Sequence, residues 1–210
     1  MEHYFTNNES LKSEIREISY IYNDNPYTFL SDNGVFAKNK IDYASKILVE
    51  SFLKSVSTTD NKNINVLDVG CGYGFIGIVV GSELKCSVDF VDVNKRAVHL
   101  CERNIKNNKI KGNAFLSDAY ECVKNKYKYI ITNPPIRAGK DVLLNILVNA
   151  KEHLTDDGEL WFVINKDQGA KSMAKRLEEY YKIEVVEKSK GFFVFCAKID
   201  WQIFILALQF

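Results

Sequence analysis

The chain has 210 residues, 28 Lys and Arg against 27 Asp and Glu, a formal net charge of +1 and a hydrophobic content of 46%. A globular domain of roughly 150–200 residues with a modest appendage fits these figures without disulfides or a structural metal, and disordered, collagen-like and disulfide-scaffold classes are excluded. Near-zero net charge also removes overall basicity as an argument for a nucleic-acid partner, although one basic face suffices for RNA.

In chain order, 14–22 alternates Ile15, Glu17 and Ser19 against polar and aromatic neighbours. With the turn residues Asn23-Asp24-Asn25-Pro26 and the extended run 27–30, it predicts a β-hairpin. After Asp32-Asn33-Gly34, the residues Ile41, Ala44, Ile47, Leu48 and Phe52 recur at helical spacing and predict an amphipathic helix over 41–56. Strand and helix patterns then alternate: strand 64–70, helix 75–84, strand 86–93, helix 95–107, a short strand near 114–116, strand 127–133, helix 139–153, strand 159–165 and helix 169–181. A hairpin of 183–187 with 191–199 closes the series, turning at Lys188-Ser189-Lys190-Gly191.

The expected fold is α/β, a Rossmann-like, open, doubly wound and mostly parallel sheet with an antiparallel closing strand. Three parts follow: an N-terminal hairpin and helix extension over 1–60 packed on the core, a body over 61–199, and an apolar tail over 200–210. The tail is too short to cross a bilayer as a helix and is expected to pack on the body.

Five cysteines, Cys71, Cys86, Cys101, Cys122 and Cys196, are scattered without a C-x-x-C pair or a histidine at ligand spacing, so no metal site and no disulfide framework is expected. Met1-Glu2-His3-Tyr4 lacks a charged segment leading into an apolar stretch, and no apolar run is long enough to span a membrane. A cytoplasmic protein without membrane contact is expected, as a monomer or weak homodimer.

The first body strand runs into Asp68-Val69-Gly70-Cys71-Gly72-Tyr73-Gly74-Phe75-Ile76-Gly77. Glycines suit a strand that must turn sharply and approach a ligand with no Cβ in the way. Gly72-x-Gly74-x-x-Gly77, with Asp92 placed 20 residues after Gly72, also matches a dinucleotide fingerprint. Asp68 separates the readings: at the carboxyl end of the strand, pointing into the crevice, its charge opposes a pyrophosphate but favours a cationic ligand. The acid followed by x-Gly-x-Gly-x-Gly resembles the first motif of the class I S-adenosylmethionine-dependent methyltransferases, whose donor carries a sulfonium and an ammonium. By that resemblance Asp92 takes the ribose hydroxyls and Ser117-Asp118-Ala119 meets the adenine. The implied donor-binding set is Phe36, Asp68, Gly70, Cys71, Gly72, Asp92, Val93, Asp118, Ala119 and Asn133.

The fourth body strand ends in Asn133-Pro134-Pro135-Ile136. Two prolines after a strand form a rigid stop. Beside a methyl-donor loop the sequence resembles the [Asn/Asp]-Pro-Pro-x motif of methyltransferases acting on exocyclic nitrogens. Such an amine is a poor nucleophile because its lone pair is delocalised, and two acceptors, the Asn133 side-chain oxygen and the Pro134 carbonyl, orient it by holding its N–H groups. Pro135 stiffens the loop, and Ile136 offers apolar contact where many relatives are aromatic.

The stretch Gly34-Val35-Phe36-Ala37-Lys38-Asn39-Lys40-Ile41-Asp42 and the run Asn133 to Lys140 are similar to the RsmC-like group of small-subunit ribosomal RNA guanine-N2 methyltransferases, which includes short stand-alone members. The resemblance implies methyl transfer to guanine N2 in 16S ribosomal RNA, with ribosomal RNA or the small subunit as partner. Phe36 and Asp42 then belong to a segment closing over the donor. Many members carry a second, degenerate copy of the domain; without one, RNA selection rests on one domain or on the assembled substrate. Arg137 and Lys140 are the expected substrate contacts, with further phosphate candidates in Arg103, Lys106, Lys109 and Lys111, and in Lys124, Lys126 and Lys128. Asn-Pro-Pro alone leaves adenine N6 or a protein glutamine amide as alternative acceptors, and a non-catalytic RNA-binding module that keeps the donor pocket as a further alternative.

Overall fold

The computed structural model describes residues 11–56 and 64–200. A hairpin of β1 (Arg16–Tyr22) and β2 (Asn25–Ser31) leads into α1 (Tyr43–Ser55). The body follows as β3 (Asn65–Val69), α2 (Phe75–Leu84), β4 (Ser87–Asp92), α3 (Lys95–Asn107), β5 (Gly112–Leu116), β6 (Tyr127–Thr132), α4 (Lys140–Asn149), β7 (Leu154–Asn165), α5 (Ala170–Leu177), β8 (Tyr181–Ser189) and β9 (Phe192–Ile199). The seven-stranded sheet has the order β5-β4-β3-β6-β7-β9-β8. β5 to β7 pair in parallel, and β9 inserts antiparallel between β7 and β8. This is the expected Rossmann-like architecture.

Differences are local. β7 begins at Leu154 rather than 159, α5 ends at Leu177, and 150–153 forms a separate 3-10 turn. The expected boundary between 60 and 61 and the tail residues 201–210 lie outside the described residues. Among the described residues no helix is long and apolar enough to cross a membrane.

Period-2 alternation divides the core into two layers. On one face Val66, Val88 and Phe90 pack with α1, α2, α3 and the hairpin; on the other Leu67, Val91 and Ile130 pack with α4 and α5. α2 is apolar almost all round, which suits a helix enclosed on both sides. Phe52 of α1 meets the rings of Tyr129 and Trp161 edge-on at 5.0 and 5.2 Å, anchoring α1 to β6 and β7.

The hairpin borrows a helix as its third strand. Asn104 and Asn108 of α3 each close a pair of hydrogen bonds on the β2 backbone, at Leu30 (2.7 and 2.9 Å) and Thr28 (3.2 and 2.9 Å). Four residues of helix rise about 6 Å and two residues of strand about 6.6 Å, so the amides match the strand repeat. The loop after β2 is fixed by Asp32, which accepts from Ser13 Oγ (2.7 Å) and pairs with Arg96 (3.5 Å). Arg96 also donates to the carbonyls of Asn33 and Leu11.

Candidate active site

A cleft of about 1540 Å³ runs along the carboxyl ends of β3, β4, β6 and β7 and is walled on one side by the loop 33–44. It lies where the strand order reverses between β3 and β6, the usual ligand position in open α/β sheets.

At its β3–β4 end the chain turns with positive φ at Gly70 (+71°), Gly72 (+55°) and Gly74 (+93°). A Cβ at Gly70 or Gly72 would meet no protein atom within 4 Å, so both backbones face open space. Four of the loop's N–H groups are bonded inside the protein. Gly70 and Cys71 donate to the Val91 carbonyl at 2.9 and 3.0 Å, Gly74 to the Cys71 carbonyl at 2.8 Å, and Gly72 to Asp92 Oδ2 at 2.8 Å. Four donors that a phosphate nest would require are therefore engaged elsewhere.

Asp92 accepts a second bond from the Asn94 N–H at 2.8 Å. Burial pushes its carboxyl up, opposed by the N–H groups of Asn94, Gly72 and Val93. Asn94 caps α3 through Arg96 and Ala97 and donates to the Gly34 carbonyl at 2.9 Å, tying the loop 33–44 to this end. Ser117 builds the next wall: its Oγ donates to the Ala119 carbonyl (3.0 Å) and accepts from the Cys122 N–H (3.1 Å). Val93, Asp118, Ala119 and Phe36 line the cleft together with Gly70, Gly72 and Asp92.

Two expected donor residues do not line it. Asp68 is fully buried; strand alternation turns its side chain onto the α2 face, where Oδ2 accepts the Gly77 N–H at 2.8 Å. Its Oδ1 has no hydrogen-bond partner, the one such buried side-chain atom among the described residues. Cys71 is also buried and contributes backbone only.

Desolvation pushes the Asp68 carboxyl up to about 7 from 3.8, against the Gly77 N–H and with the Asp92 charge adding to the rise. A carboxyl raised on folding contributes stability in full below its unfolded pKa, and that contribution is lost as pH climbs through the folded pKa. Between about pH 4 and 7 the wild type should lose stability relative to Asp68→Asn, by an amount on the order of a few kcal/mol. Denaturant unfolding of both proteins at the two ends of that window measures it, and a constant difference would show that Asp68 titrates alike folded and unfolded.

The β6 side of the cleft, beside Gly70 in the β3–β6 register, is built around Asn133, Pro134, Pro135 and Ile136, all lining residues. Asn133 Nδ2 donates to Asp42 Oδ2 at 3.1 Å and to Ser45 Oγ at 2.9 Å. Asp42 is also the N-cap of α1, accepting from the Ser45 N–H at 2.9 Å. A carboxylate only accepts, so the amide orientation is fixed and Oδ1 is left as this side chain's group for a ligand. Pro135, at φ −75° and ψ 81°, centres an inverse γ-turn in which Ile136 N–H donates to the Pro134 carbonyl at 2.9 Å. That carbonyl keeps a second lone pair. Arg137 lines the cleft, whereas Lys140 opens α4 outside it.

The Asp42–Ser45–Asn133 network escaped the sequence. Asp42-x-x-Ser45 is legible as a helix start, but its link to Asn133 spans 91 positions. Tyr43, Asn165, Gln168 and Phe192, which also line the acceptor end, carried no recognisable motif. Arg103, Lys106, Lys109 and Lys111 lie toward the C-terminus of α3 and the start of β5, and Lys124, Lys126 and Lys128 at the start of β6. Both groups sit at the amino edge of the parallel strands, opposite the cleft, and Lys128 is paired with Asp157 at 2.9 Å.

Comparison with known proteins places this geometry in a family. Residues 26–196 match the model of the methyltransferase small domain. The uncharacterized protein YbxB of Bacillus subtilis (strain 168) is 40% identical over 202 residues, covering 94% of this chain and 98% of its own. The ribosomal RNA small subunit methyltransferase C of Buchnera aphidicola subsp. Schizaphis graminum is 33% identical over 63% of this chain, which spans 39% of that protein. Among solved structures, a T. thermophilus 16S rRNA N2 methyltransferase (RsmC) in complex with AdoMet and guanosine superposes with a TM-score of 0.81 at 24% identity, over 90% of this chain and 52% of that one.

Proposed function

The chain belongs to the methyltransferase small domain family, and from that premise we propose that it moves a methyl group from S-adenosylmethionine to the N2 amino group of a guanine in small-subunit ribosomal RNA. The observation that carries the acceptor chemistry is the Asn133 side chain, held through both N–H bonds by Asp42 and Ser45 in the same cleft as the glycine loop, where the β3–β6 register brings it beside Gly70.

The donor end fits S-adenosylmethionine better than a nicotinamide dinucleotide. The N–H groups of Gly70, Cys71, Gly72 and Gly74 are engaged within the protein and withheld from a pyrophosphate. Beneath this loop the Asp68 carboxyl fastens α2 through the Gly77 N–H. Asp92 retains lone pairs for two ribose hydroxyls. Val93, Asp118 and Ala119 surround the adenine, Gly70 and Gly72 allow backbone approach, Cys71 holds the loop's shape through its main-chain bonds to Val91 and Gly74, and Phe36 covers the donor from the loop. S-adenosylmethionine supplies an electrophilic methyl carbon on its sulfonium.

The remaining work is positioning. Asn133 Oδ1 and the Pro134 carbonyl accept the two N–H bonds of the guanine amine and turn its lone pair toward the donor. Both oxygens complement the positive charge that grows on nitrogen. The methylated ammonium loses its proton to water, so no strong base is required. Ile136 packs on the base and Arg137 meets the RNA. In this reading the hairpin and α1, within 1–60, support the 61–199 body by presenting Asp42 to it.

Transfer of labelled methyl to unmethylated small subunits, naked ribosomal RNA, duplex DNA and bulk protein, followed by nucleoside analysis, tests the proposal. N2-methylguanosine is the expected product, and label confined to N6-methyladenine or protein would refute guanine N2 as acceptor. Asp42→Asn keeps a competent N-cap but replaces an acceptor-only carboxylate with an amide that no longer dictates the Asn133 orientation. A kcat loss of about tenfold with unchanged donor affinity and melting temperature is expected. An unchanged kcat would show that Asp42 serves only the helix.

A further inference from the structure

The acceptor end of the cleft is edged by cations from four separate segments. Lys38 and Lys40 line it from the loop ahead of α1, and Arg137 from the far side. Lys188 lies at the end of β8, Lys190 stands on the β8–β9 turn, and Lys166 follows β7. The turn is fixed in place: the Tyr43 and Ser189 hydroxyls share a hydrogen bond at 2.7 Å, and Lys166 N–H donates to the Gly191 carbonyl at 2.7 Å. Lys190 Nζ lies 4.6 Å from the Tyr43 ring centre and Lys188 Nζ 5.2 Å from that of Phe193. Tyr43, Asn165 and Phe192 line the cleft themselves, so Lys166 and Lys190 border its mouth, and Lys188 stands next to them on Phe193, just outside the lining.

All six cations are exposed, and among the described residues none is in an ion pair, whereas Arg16, Arg96, Lys128 and Lys198 are each paired with a carboxylate. Asp167 and Glu187 are neighbours of the rim in sequence, yet neither forms an ion pair with it; Glu187 accepts the Lys188 backbone N–H instead. Cations spread along a perimeter suit a chain of phosphates rather than one small anion. A guanine whose N2 reaches Asn133 inside a cleft must leave its stack, and its flanking phosphates then lie at the mouth.

We infer that Lys38, Lys40, Arg137, Lys166, Lys188 and Lys190 form the seat of single-stranded RNA backbone on either side of the target nucleotide. The inference rests on the ribosomal RNA reading and moves the phosphate contacts from the amino edge of the sheet to the rim of the cleft. Each phosphate neutralised on a single strand contributes about −0.7 to the slope of log affinity against log salt.

The test is binding of a fluorescein-labelled, guanine-containing single-stranded RNA by the full chain across a salt series. Lys166→Gln, Lys188→Gln and Lys190→Gln combined should flatten the slope by about 2 and weaken binding on the order of 10- to 100-fold at low salt, with S-adenosylmethionine binding retained. Lys106→Gln, Lys124→Gln and Lys126→Gln combined, on the opposite edge, should leave the slope at its wild-type value. A wild-type slope in the rim variant, a loss only in the opposite-edge variant, or preference for duplex DNA would overturn the inference. Rim-dependent RNA binding by a protein that methylates only adenine would uphold the seat and refute guanine N2 alone.

Discussion

Replacing Asn133 with alanine is expected to lower kcat on the order of 10²- to 10³-fold, the usual cost of deleting one preorganised group that complements transition-state charge. Donor affinity should be mostly retained, because Gly70, Gly72, Asp92 and Asp118 line the cleft independently of the Asn133 side chain. Stability should also hold. With Asn133 shortened, Asp42 still accepts the Ser45 N–H at 2.9 Å and the Ser45 hydroxyl at 3.2 Å, so the start of α1 stays capped and its carboxylate satisfied. Single-turnover kinetics alongside calorimetric titration of S-adenosylmethionine separate the effects. A fall in donor affinity with unchanged single-turnover rate would move Asn133 from acceptor to donor binding, and an unchanged rate and affinity would remove it from the mechanism.

The contrast between Asn133 and Asp68 shows what a sequence conveys about a site. Strand-end position and residue type were legible for both, and for Asn133 they put the side chain in the cleft. For Asp68 the same reasoning failed by one residue. It precedes the last residue of β3, and alternation sends it under α2 instead of out of the strand end. Phe36, Asp92 and Asp118 line the cleft, Asp92 from the carboxyl end of β4 and the other two from turns. Lys140 falls just outside, since the turn at Ile136–Ala138 and the start of α4 carry it away. Contacts made across the fold left no local pattern: Asp42 with Asn133, Ser189 with Tyr43, and the asparagine pair of α3 with β2. The same limit applies to the phosphate candidates at 103–111 and 124–128, because a run of lysines does not record which edge of the sheet it will occupy.

Gly77→Ala should be the most damaging small substitution in the glycine stretch, and its cause differs from that of its neighbours. In a helix alanine is favoured over glycine by about 1 kcal/mol. A Cβ at Gly77, however, would stand 2.3 Å from Cε1 and 2.9 Å from Cζ of Phe90, and 3.0 Å from Asp68 Oδ2. Phe90 is fully buried on β4, and its ring has nowhere to retreat. α2 must therefore lift from the sheet, at an overpacking cost of about 1–3 kcal/mol, which lowers the melting temperature by on the order of 5 °C for a chain of this size. Lifting α2 also loosens the Gly77–Asp68 hydrogen bond, so donor affinity should fall with stability. Gly72→Ala provides the control. It meets no protein atom within 4 Å, but its φ is +55° and its side chain would enter the cleft. A loss of stability of about 1 kcal/mol with a larger loss of donor affinity is expected there. Thermal unfolding and donor titration of the two variants distinguish a glycine needed for helix-on-strand packing from one needed for approach to a ligand. If Gly77→Ala melts with the wild type, α2 does not pack on Phe90 at this distance.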